Sequence, residues 1–285
     1  MADKTNIELY NIKTIDENDF LWKFVSIDKF FSIILNKKLY LTRIDSFEDE
    51  LEGIEPKLLL LNHQKNALLS LPPLNELKSF HDIDIFPEET DKLIDQLKEI
   101  QKYNFANCWF LSNKNIESVA MWNLYSQPNS VALNIKLSDF YDNLLRSGYT
   151  SRIKLKRLIL GVIRYVNFQN PHELELLEKE IGLTPFLKDK SFSHENEFRI
   201  IAEIEKYKHP PFKPKAGFSK YRQEEFYNAN IQIYGLNIIL HEFFDYKFEI
   251  VFHPKISKWV KEDLINILER LEVPFKTRDS NLKLK

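Results

Sequence analysis

Short β-type runs and amphipathic helical stretches alternate irregularly along this chain, and that order limits the folds open to it. A strand-like run at 22–25 is followed by an amphipathic stretch at 27–35, for which Ser26 is a suitable N-cap, and then by a second strand-like run at 38–43. Because helices and strands do not alternate one for one, the pattern predicts an α+β fold rather than a regularly wound βαβ sheet.

Later segments extend this pattern and suggest one domain over residues 1–285. Residues 56–103 indicate two helices around the Pro72-Pro73 break, which we interpret as a helical insertion covering one end of a sheet. Elsewhere the sequence predicts strands at 107–112, 130–135, 157–166, 198–204, 231–240, 248–252 and 274–278, and helices at 116–125, 138–147, 172–182 and 256–271.

Composition excludes several classes of protein. The 285 residues are 44% hydrophobic, and 40 basic against 42 acidic side chains leave a net charge of −2, so no overall field draws the chain to nucleic acid or membrane. The single cysteine, Cys108, excludes an internal disulfide framework and a multi-thiolate zinc site. Its apolar runs are far shorter than the roughly 18 residues of a membrane helix, and we expect a cytoplasmic protein with no membrane contact.

An acidic segment follows the second predicted strand and is the first candidate site. Arg43 precedes Asp45, Asp49 and Glu52, so it could be an anion-binding arginine held by carboxylates. The alternative is a solvated acidic turn leading into the next helix, whose N-terminus favours acidic residues.

A second candidate site combines a strand end with the helix that follows it. Trp122 and Tyr125 are three residues apart and share a helix face, so they could form an aromatic wall for a flat ring, although core packing is the more common fate of such a pair. Ser112 could contact a ligand at the strand end, or cap the following helix.

The third candidate site is the acidic motif His-Glu-Asn-Glu-Phe-Arg. In a strand, Glu195, Glu197 and Arg199 would point to one face while Phe198 and Ile200 point to the core. Neighbouring carboxylates are suited to acid–base chemistry or to stabilising an oxocarbenium ion. The alternative is an exposed strand face with a weak glutamate–arginine ladder.

A basic loop at 206–222 is the fourth candidate site. Its lysines are interleaved with aromatic residues, a composition typical of surfaces that contact phosphates and bases. The alternative is a charged run that is simply solvated. The residues that we expect to contact nucleic acid or a partner protein are Lys213, Lys215, Lys220 and Arg222.

Several chemistries lack their usual motifs. No glycine-rich phosphate loop, H-E-x-x-H pair or G-x-S-x-G motif occurs, and the seven histidines show no metal-ligand spacing, so we predict no metal. Magnesium bound by oxygen ligands from Asp49, Glu52, Glu195 and Glu197 stays open as an alternative. Cys108 lies in an apolar strand-like run and fits a core position better than that of a nucleophile.

Four motifs along the chain together resemble a bacterial family called domain of unknown function 2971. The first is W-K-F-x-S, followed by a helix and L-Y-L, and the second is F-E-D-x-x-E. The third is C-x-F-x-S followed by M-W-x-x-Y, and the fourth is a lysine followed by F-x-x-E-x-E-F-R. The resemblance runs from about Leu21 to the C-terminal strand. The sequence departs from the family pattern at Glu48, where Asn is usual, at Glu50, where Pro is usual, and at Phe192 and Phe198, where Trp is usual.

The strand–helix–strand start at 22–42, a strand that ends in Ser112, a helix with Ala-x-x-x-x-Tyr and a late Glu-x-Glu together resemble, at the level of the fold, the ADP-ribosyltransferase toxins. This resemblance implies a mixed, mostly antiparallel central sheet, with Lys23 in the polar position of the first strand, where His or Arg is usual. It also implies Ser112 at the second motif and Glu197 at the catalytic position, assisted by Glu195.

The resemblance implies NAD as a substrate. Trp122 or Tyr125 would form the wall for nicotinamide, and Lys23, Arg43 and Arg199 would be further cofactor-binding residues. The leading hypothesis is therefore an NAD-cleaving or ADP-ribosylating effector or toxin in bacterial antiviral defence or a toxin–antitoxin system. The alternatives are a non-enzymatic module that binds nucleic acid or a partner protein, and a metal-dependent nuclease.

Overall fold

A computed structural model describes residues 7–12, 16, 18–69, 101–147, 149–151, 153, 155–178, 184–204, 234–240, 248–272 and 275–283. Within these ranges the chain is α+β, with a large mixed sheet of mostly antiparallel strands and several helices. None of the helices in these ranges is long and apolar enough to cross a bilayer.

The strands and helices are numbered separately in chain order. The strands are β1 (Ile7–Tyr10), β2 (Asp19–Ser26), β3 (Lys38–Arg43), β4 (Asn104–Asn113), β5 (Ser130–Lys136), β6 (Tyr149–Ser151), β7 (Leu155–Val162), β8 (Arg164–Val166), β9 (Leu187–Asp189), β10 (Glu197–Ile204), β11 (Gly235–Leu240), β12 (Glu249–Phe252) and β13 (Lys276–Asp279). The α-helices are α1 (Ile27–Asn36), α2 (Pro56–Leu69), α3 (Val119–Tyr125), α4 (Leu137–Ser147), α5 (Pro171–Glu178) and α6 (Lys258–Arg270). Short 3-10 helices cover Ile44–Ser46, Thr184–Phe186 and Lys190–Glu195.

Eleven of the described strands form the main sheet. Its longest path runs β1-β7-β10-β4-β2-β5-β12-β13, and β3, β11 and β6 branch from it, while β8 and β9 form a separate parallel pair. The parallel contacts within the main sheet are β1 with β7 and β12 with β13, one at each end of the path, and its other pairings are antiparallel.

The sheet divides along one side of β4. The first residues of β4 pair with β3, and its last residues pair with β2. Between these two ladders the Lys23 ammonium donates to the Cys108 carbonyl at 2.6 Å, and the Asn107 side-chain amide donates to the Tyr40 carbonyl at 2.8 Å. Side chains therefore supply hydrogen bonds where the two neighbouring strands diverge.

Both faces of the sheet are buried. On one face, a large apolar core lies between the strands and helices α1, α4 and α6, and it includes Phe30, Phe140 and Leu264. On the other face, one apolar cluster surrounds Trp122 and another surrounds Phe186. The charged site described below lies on this second face.

A smaller apolar cluster lies outside the main sheet. Helices α2 and α5 pack together there, with Leu58 and Leu174 among the buried residues, and Leu187 of β9 joins them. The first of the two helices expected at 56–103 is present as α2, whereas residues 70–100, where the second was expected, lie outside the described residues, so the insertion itself stays a prediction. The Gln101 amide donates to the Glu52 carbonyl at 2.6 Å, so the chain resumes beside the turn that precedes α2.

Most of the expected elements are confirmed, and the corrections have local causes. The expected strand at 157–166 is two strands, because Leu155–Val162 joins the main sheet while Arg164–Val166 pairs with β9. β1, β6 and β9 were not predicted, since each has only three or four residues and too short a pattern to detect. Ser26 is at the N-cap position of α1 as predicted, but its side chain makes no capping hydrogen bond.

Candidate active site

The third motif of the sequence lies at the centre of the second sheet face. Strand β10 lies between β7 and β4, not at an edge of the sheet, and it directs Glu197 and Arg199 to the same face. Glu195 is not in the strand, which corrects our expectation, because it ends a 3-10 helix and Asn196, at φ 36°, turns the chain into β10. The alternative interpretation, an exposed strand face, is wrong, because Arg199 is 0% exposed and Glu197 4% exposed.

Arg199 holds two carboxylates and a carbonyl. Its guanidinium forms a two-point ion pair with Glu197, in which Nη2 lies 3.0 Å from Oε2 and Nε contacts Oε1. The same guanidinium contacts Glu52, and Nη1 donates to the Pro185 carbonyl at 2.8 Å. This planar group therefore has protein partners on several sides, which is the arrangement that makes a buried arginine tolerable.

The Lys188 ammonium, from β9, lies among three carboxylates. Its Nζ contacts Glu195 directly and lies 3.2 Å from Glu197 and 3.6 Å from Glu52. The ammonium also lies 4.8 Å from the centre of the Phe192 ring, a cation–π contact. We call Glu52, Lys188, Glu195, Glu197 and Arg199 the charged cluster.

Two tyrosines border the charged cluster. The Tyr125 hydroxyl donates to Oε1 of Glu195 at 2.6 Å, and Tyr125 is 48% exposed whereas Glu195 is only 6% exposed. The Tyr165 hydroxyl accepts from the Glu197 backbone N–H at 2.9 Å. Glu195 is thus one hydrogen bond away from a residue that solvent and ligands can reach.

The charges of the cluster set the protonation of its members. Burial alone would raise the pKa of Glu197, but the Arg199 guanidinium, together with Lys188, outweighs it and lowers the pKa to about 2. Burial would likewise lower the pKa of Lys188, yet the carboxylates of Glu197 and Glu52 hold it above its usual value. Glu52 differs, because burial raises its pKa despite the two cations. Glu197 is therefore ionised at neutral pH, and Lys188 is protonated.

Burial also explains the behaviour of the bordering hydroxyls and thiol. Burial and the hydrogen bond to Glu195 raise the pKa of Tyr125, and burial raises the pKa of Tyr165. Burial raises the pKa of the Cys108 thiol, and the nearby Glu197 carboxylate adds to the effect. All three groups stay neutral at physiological pH, so Cys108 is not a thiolate nucleophile here.

The acidic segment contributes one member of the cluster. Glu52 contacts Arg199, and Asp49 accepts a hydrogen bond from the Leu51 backbone N–H at 3.0 Å, which shapes the turn that presents Glu52. The Phe47 ring lies 5.7 Å from the Arg199 guanidinium. The spacing of the F-E-D-x-x-E motif thus has a local structural reason.

Arg43 does not join this cluster. It is buried and pairs with Asp45 at 2.5 Å, while its guanidinium lies 4.8 Å from the Tyr234 ring. Lys23 also has a protein partner, the Cys108 carbonyl, and burial lowers its pKa. Neither side chain presents a free cation on the surface that the structure describes.

Trp122 and Tyr125 have different environments although they share helix α3. Trp122 is 0% exposed and packs edge-on against Phe24 and His253, at ring-centre distances of 4.8 and 5.0 Å. It is a core residue, and only Tyr125 could face a ligand. The Ser112 hydroxyl donates to the Ile116 carbonyl at 2.6 Å, and Ser118, not Ser112, caps α3 through the Met121 backbone N–H.

Sequence reasoning missed two residues of the site. Lys188 lies in a three-residue strand, and Tyr165 lies in another, so neither carried a periodic pattern or a spacing that would indicate its place. A lysine seven residues before Glu195 was visible, but its contact with the carboxylates depends on the 3-10 helix between them.

The remaining expectations concern metal and nucleic acid. In the part of the chain described here, no group of three or more histidine, cysteine, aspartate or glutamate side chains is arranged to hold a metal ion. At the charged cluster, the Lys188 ammonium lies where the carboxylates converge. The basic loop at 206–222, with Lys213, Lys215, Lys220 and Arg222, lies outside the described residues.

Comparison of the chain with family models, with curated proteins and with solved structures finds no match in any of the three. The function must therefore be argued from the charged cluster itself.

Proposed function

We propose that this chain is an enzyme of the ADP-ribosyl-transfer type, which cleaves the bond between nicotinamide and ribose in NAD at the charged cluster. The observation that carries the proposal is the position of Glu195, a buried carboxylate linked to half-exposed Tyr125 at 2.6 Å and held from the interior by Lys188. A buried carboxylate that is held by a cation and lies one hydrogen bond from a side chain that solvent reaches is a candidate for the reacting group of an enzyme.

The geometry favours Glu195 over Glu197 as the carboxylate that meets the substrate. The Glu197 carboxylate contacts the two buried cations, Arg199 and Lys188. The Glu195 carboxylate instead contacts Lys188 and the half-exposed Tyr125. In this arrangement Glu197 and Arg199 fix the position of Lys188, and Lys188 in turn holds Glu195. Glu197 therefore acts on the substrate through Glu195.

The reaction is favoured by negative charge near the ribosyl carbon that is bonded to nicotinamide. As the glycosidic C–N bond breaks, its electron pair leaves with nicotinamide, and positive charge develops on the ribosyl carbon and ring oxygen. When every member is ionised, the cluster has one more carboxylate than cations, so it would stabilise that charge in surroundings of low polarity. An acceptor hydroxyl or water then attacks the carbon, and Glu195 takes its proton.

The NAD diphosphate requires a cation other than the three expected ones. Lys23, Arg43 and Arg199, the three expected cations, each have protein partners in the described structure. The basic loop at 206–222 would supply this contact or bind a nucleic-acid acceptor, in the toxin or antiviral-defence role that the resemblance implies.

Nicotinamide release tests the proposal. We would incubate the protein with NAD, alone and with DNA, RNA or protein acceptors, and compare the wild type with Glu195→Gln and Glu197→Gln. Both variants should lose at least about a hundredfold in rate, because each removes charge from the cluster. The matched control is Glu203→Gln. Glu203 lies on β10, as Glu197 does, but it pairs with Lys156 and Arg157 away from the cluster. Full activity in Glu195→Gln would contradict the proposal.

A second candidate function is a non-enzymatic binding module. The observation that favours it is that every member of the charged cluster already pairs with another member, as in a structural contact between a sheet and the elements that cover it. In that case nucleic-acid or partner binding would depend on the basic loop. Lys213→Glu combined with Lys215→Glu should then abolish binding, while Glu197→Gln leaves the affinity of the folded protein unchanged.

A further inference from the structure

Glu117 is a second buried acidic centre, outside the charged cluster. Its side chain is only 3% exposed, and it precedes α3 in the chain. Its Oε1 accepts from Nη1 of Arg278 and from the Asn281 backbone N–H, each at 2.8 Å. Its Oε2 accepts from the Ser280 hydroxyl and from Nε1 of Trp122 at 3.2 Å.

These four donors come from two parts of the chain. Arg278, Ser280 and Asn281 belong to the segment that begins with edge strand β13, whereas Trp122 belongs to α3. Glu117 therefore joins the segment at 278–281 to the helix. The donors outweigh the effect of burial and lower the pKa of Glu117, so that its carboxylate is ionised at neutral pH.

Helix α3 is attached to the sheet by apolar packing of Met121 and Trp122, and the Trp122 indole N–H is tied in addition to Glu117. It has seven residues, is capped by Ser118, and buries only Met121 and Trp122 among its residues. Trp122 lies three residues before Tyr125 on the same face of α3, so a shift of the helix at Trp122 would also move Tyr125. The Ser112 hydroxyl holds the Ile116 carbonyl just before Glu117, which fixes the start of this connection at the end of β4.

We infer that Glu117 is a positioning residue that holds α3 so that the Tyr125 hydroxyl reaches Glu195. The connection runs from Glu117 to the Trp122 indole, and from there along one helical turn to the phenol. Its effect on catalysis rests on the proposed function, whereas its effect on the position of Tyr125 does not.

The alternative is that Glu117 only attaches the C-terminal strand. Arg278 allows the two to be separated, because it pairs both with Glu117 and with Glu249 of β12, the latter at 2.7 Å. Glu249→Gln weakens the attachment of β13 without touching Trp122 or α3, and it is the matched control for Glu117→Gln.

The phenol of Tyr125 provides a readout that a purely structural role would not move. In protein labelled with ¹³C at the tyrosine ring, Tyr125→Phe assigns the resonance, and its shift is followed from pH 8 to pH 11. In the wild type and in Glu249→Gln, Tyr125 should stay protonated, because burial and Glu195 raise its pKa. In Glu117→Gln the phenol should lose its hydrogen bond to Glu195, and the pKa of Tyr125 should move down from its raised value towards the usual one of about 10.

Activity gives the second readout. If NAD cleavage is established, kcat of Glu117→Gln should fall about 10- to 100-fold with a smaller change in KM, while Glu249→Gln stays within about twofold of the wild type. If the wild type cleaves no NAD, the proposed function fails, yet the Tyr125 titration still decides this inference.

The milder variant Ser280→Ala removes one donor to Glu117 and covers the case in which Glu117→Gln does not fold. It should lower the pKa of Tyr125 in the same direction by a smaller amount. An unchanged Tyr125 titration in the folded variants, or an equal change in Glu249→Gln, would overturn the inference.

Discussion

Strand β10 carries two networks of ion pairs, one at each end, and they differ mainly in their surroundings. At its start, Glu197 and Arg199 belong to the charged cluster on a buried sheet face. At its other end, Glu203 pairs with Lys156 at 2.7 Å and with Arg157, and Arg157 pairs with Glu8 at 3.1 Å. In this second network, called the exposed network below, Lys156 and Glu8 are 53% and 51% exposed and the Arg157–Glu203 pair between them is partly buried, whereas Arg199 is 0% exposed.

The comparison shows that ion pairs of the same kind contribute differently to the free energy of unfolding at the two ends of β10. An exposed ion pair contributes little, because water screens the charges and the side chains lose freedom. A buried network takes several charges out of water, a cost that mutual attraction only offsets while every partner is present. A chain that keeps five charged side chains in such a place does so at a disadvantage in stability, which is an argument for function.

The largest expected effect comes from breaking the buried network at its centre. Arg199→Met leaves Glu197 and Glu52 buried without their principal cation, and should reduce the free energy of unfolding by about 3–5 kcal/mol. Urea unfolding, followed by tryptophan fluorescence, measures the change. Arg157→Met removes the corresponding cation of the exposed network and should cost less than about 1 kcal/mol. Equal losses in the two variants would show that the networks are alike.

Acidification should act selectively on the buried network. The pKa of Glu197 falls from an ordinary 4.5 to about 2 in the folded protein, so its stabilising ion pairs are fully present above pH 4.5 and are lost as the pH falls towards 2. The stability difference between the wild type and Glu197→Gln should therefore be largest near neutral pH and shrink across this range. Urea unfolding at pH 7, 4 and 3 tests it; a constant difference would contradict an ionised Glu197.

A smaller effect is expected where the buried network meets the surface. Tyr125→Phe removes the hydroxyl that donates to Glu195, but water can reach this position because Tyr125 is 48% exposed. The loss of stability should be about 1 kcal/mol. If Tyr125 orients the reacting carboxylate, the rate of nicotinamide release should fall even under conditions in which the variant is fully folded. Thermal unfolding and a steady-state assay on the same preparation separate the two effects.

The smallest effect belongs to the exposed network. Glu203→Gln should change the free energy of unfolding by less than about 1 kcal/mol, and raising the salt concentration to about 1 M should remove most of the difference because exposed charges are screened. The same salt should leave the cost of Arg199→Met nearly unchanged. Parallel urea titrations in low and high salt provide the measurement.

Much of the fold could be predicted from the sequence because most elements have clear periodic patterns. The strand at Lys38–Arg43 matches its prediction residue for residue, and α1 extends one residue beyond its predicted end. The pairing of distant strands could not be predicted, because hydrophobic alternation identifies a strand's buried face but not its neighbour. The α+β class was therefore correct, while the order of the eleven strands came only from the structure.

The site was predicted as separate motifs and not as an arrangement. Glu52, Glu195, Glu197, Arg199 and Tyr125 were all named as candidates, and the structure brings them together. Trp122, Arg43 and Lys23 were named with them but lie in other contacts. Lys188, which joins the carboxylates, was not named as a site residue, although the fourth motif includes a lysine before Phe192, because a charge in a short strand is ordinarily solvated.

The divided ladder of β4 has a consequence for how the molecule unfolds. This strand pairs with β10 along one side and with both β2 and β3 along the other, so three ladders depend on its backbone. Each amide of β4 donates to one neighbouring strand, so full exchange of β4 with deuterium requires the ladders on both of its sides to open, and we expect this exchange to be slow. The slowest-exchanging core of the protein should therefore be the strand that leads directly to the turn before Glu117 and, through it, to the helix of Tyr125.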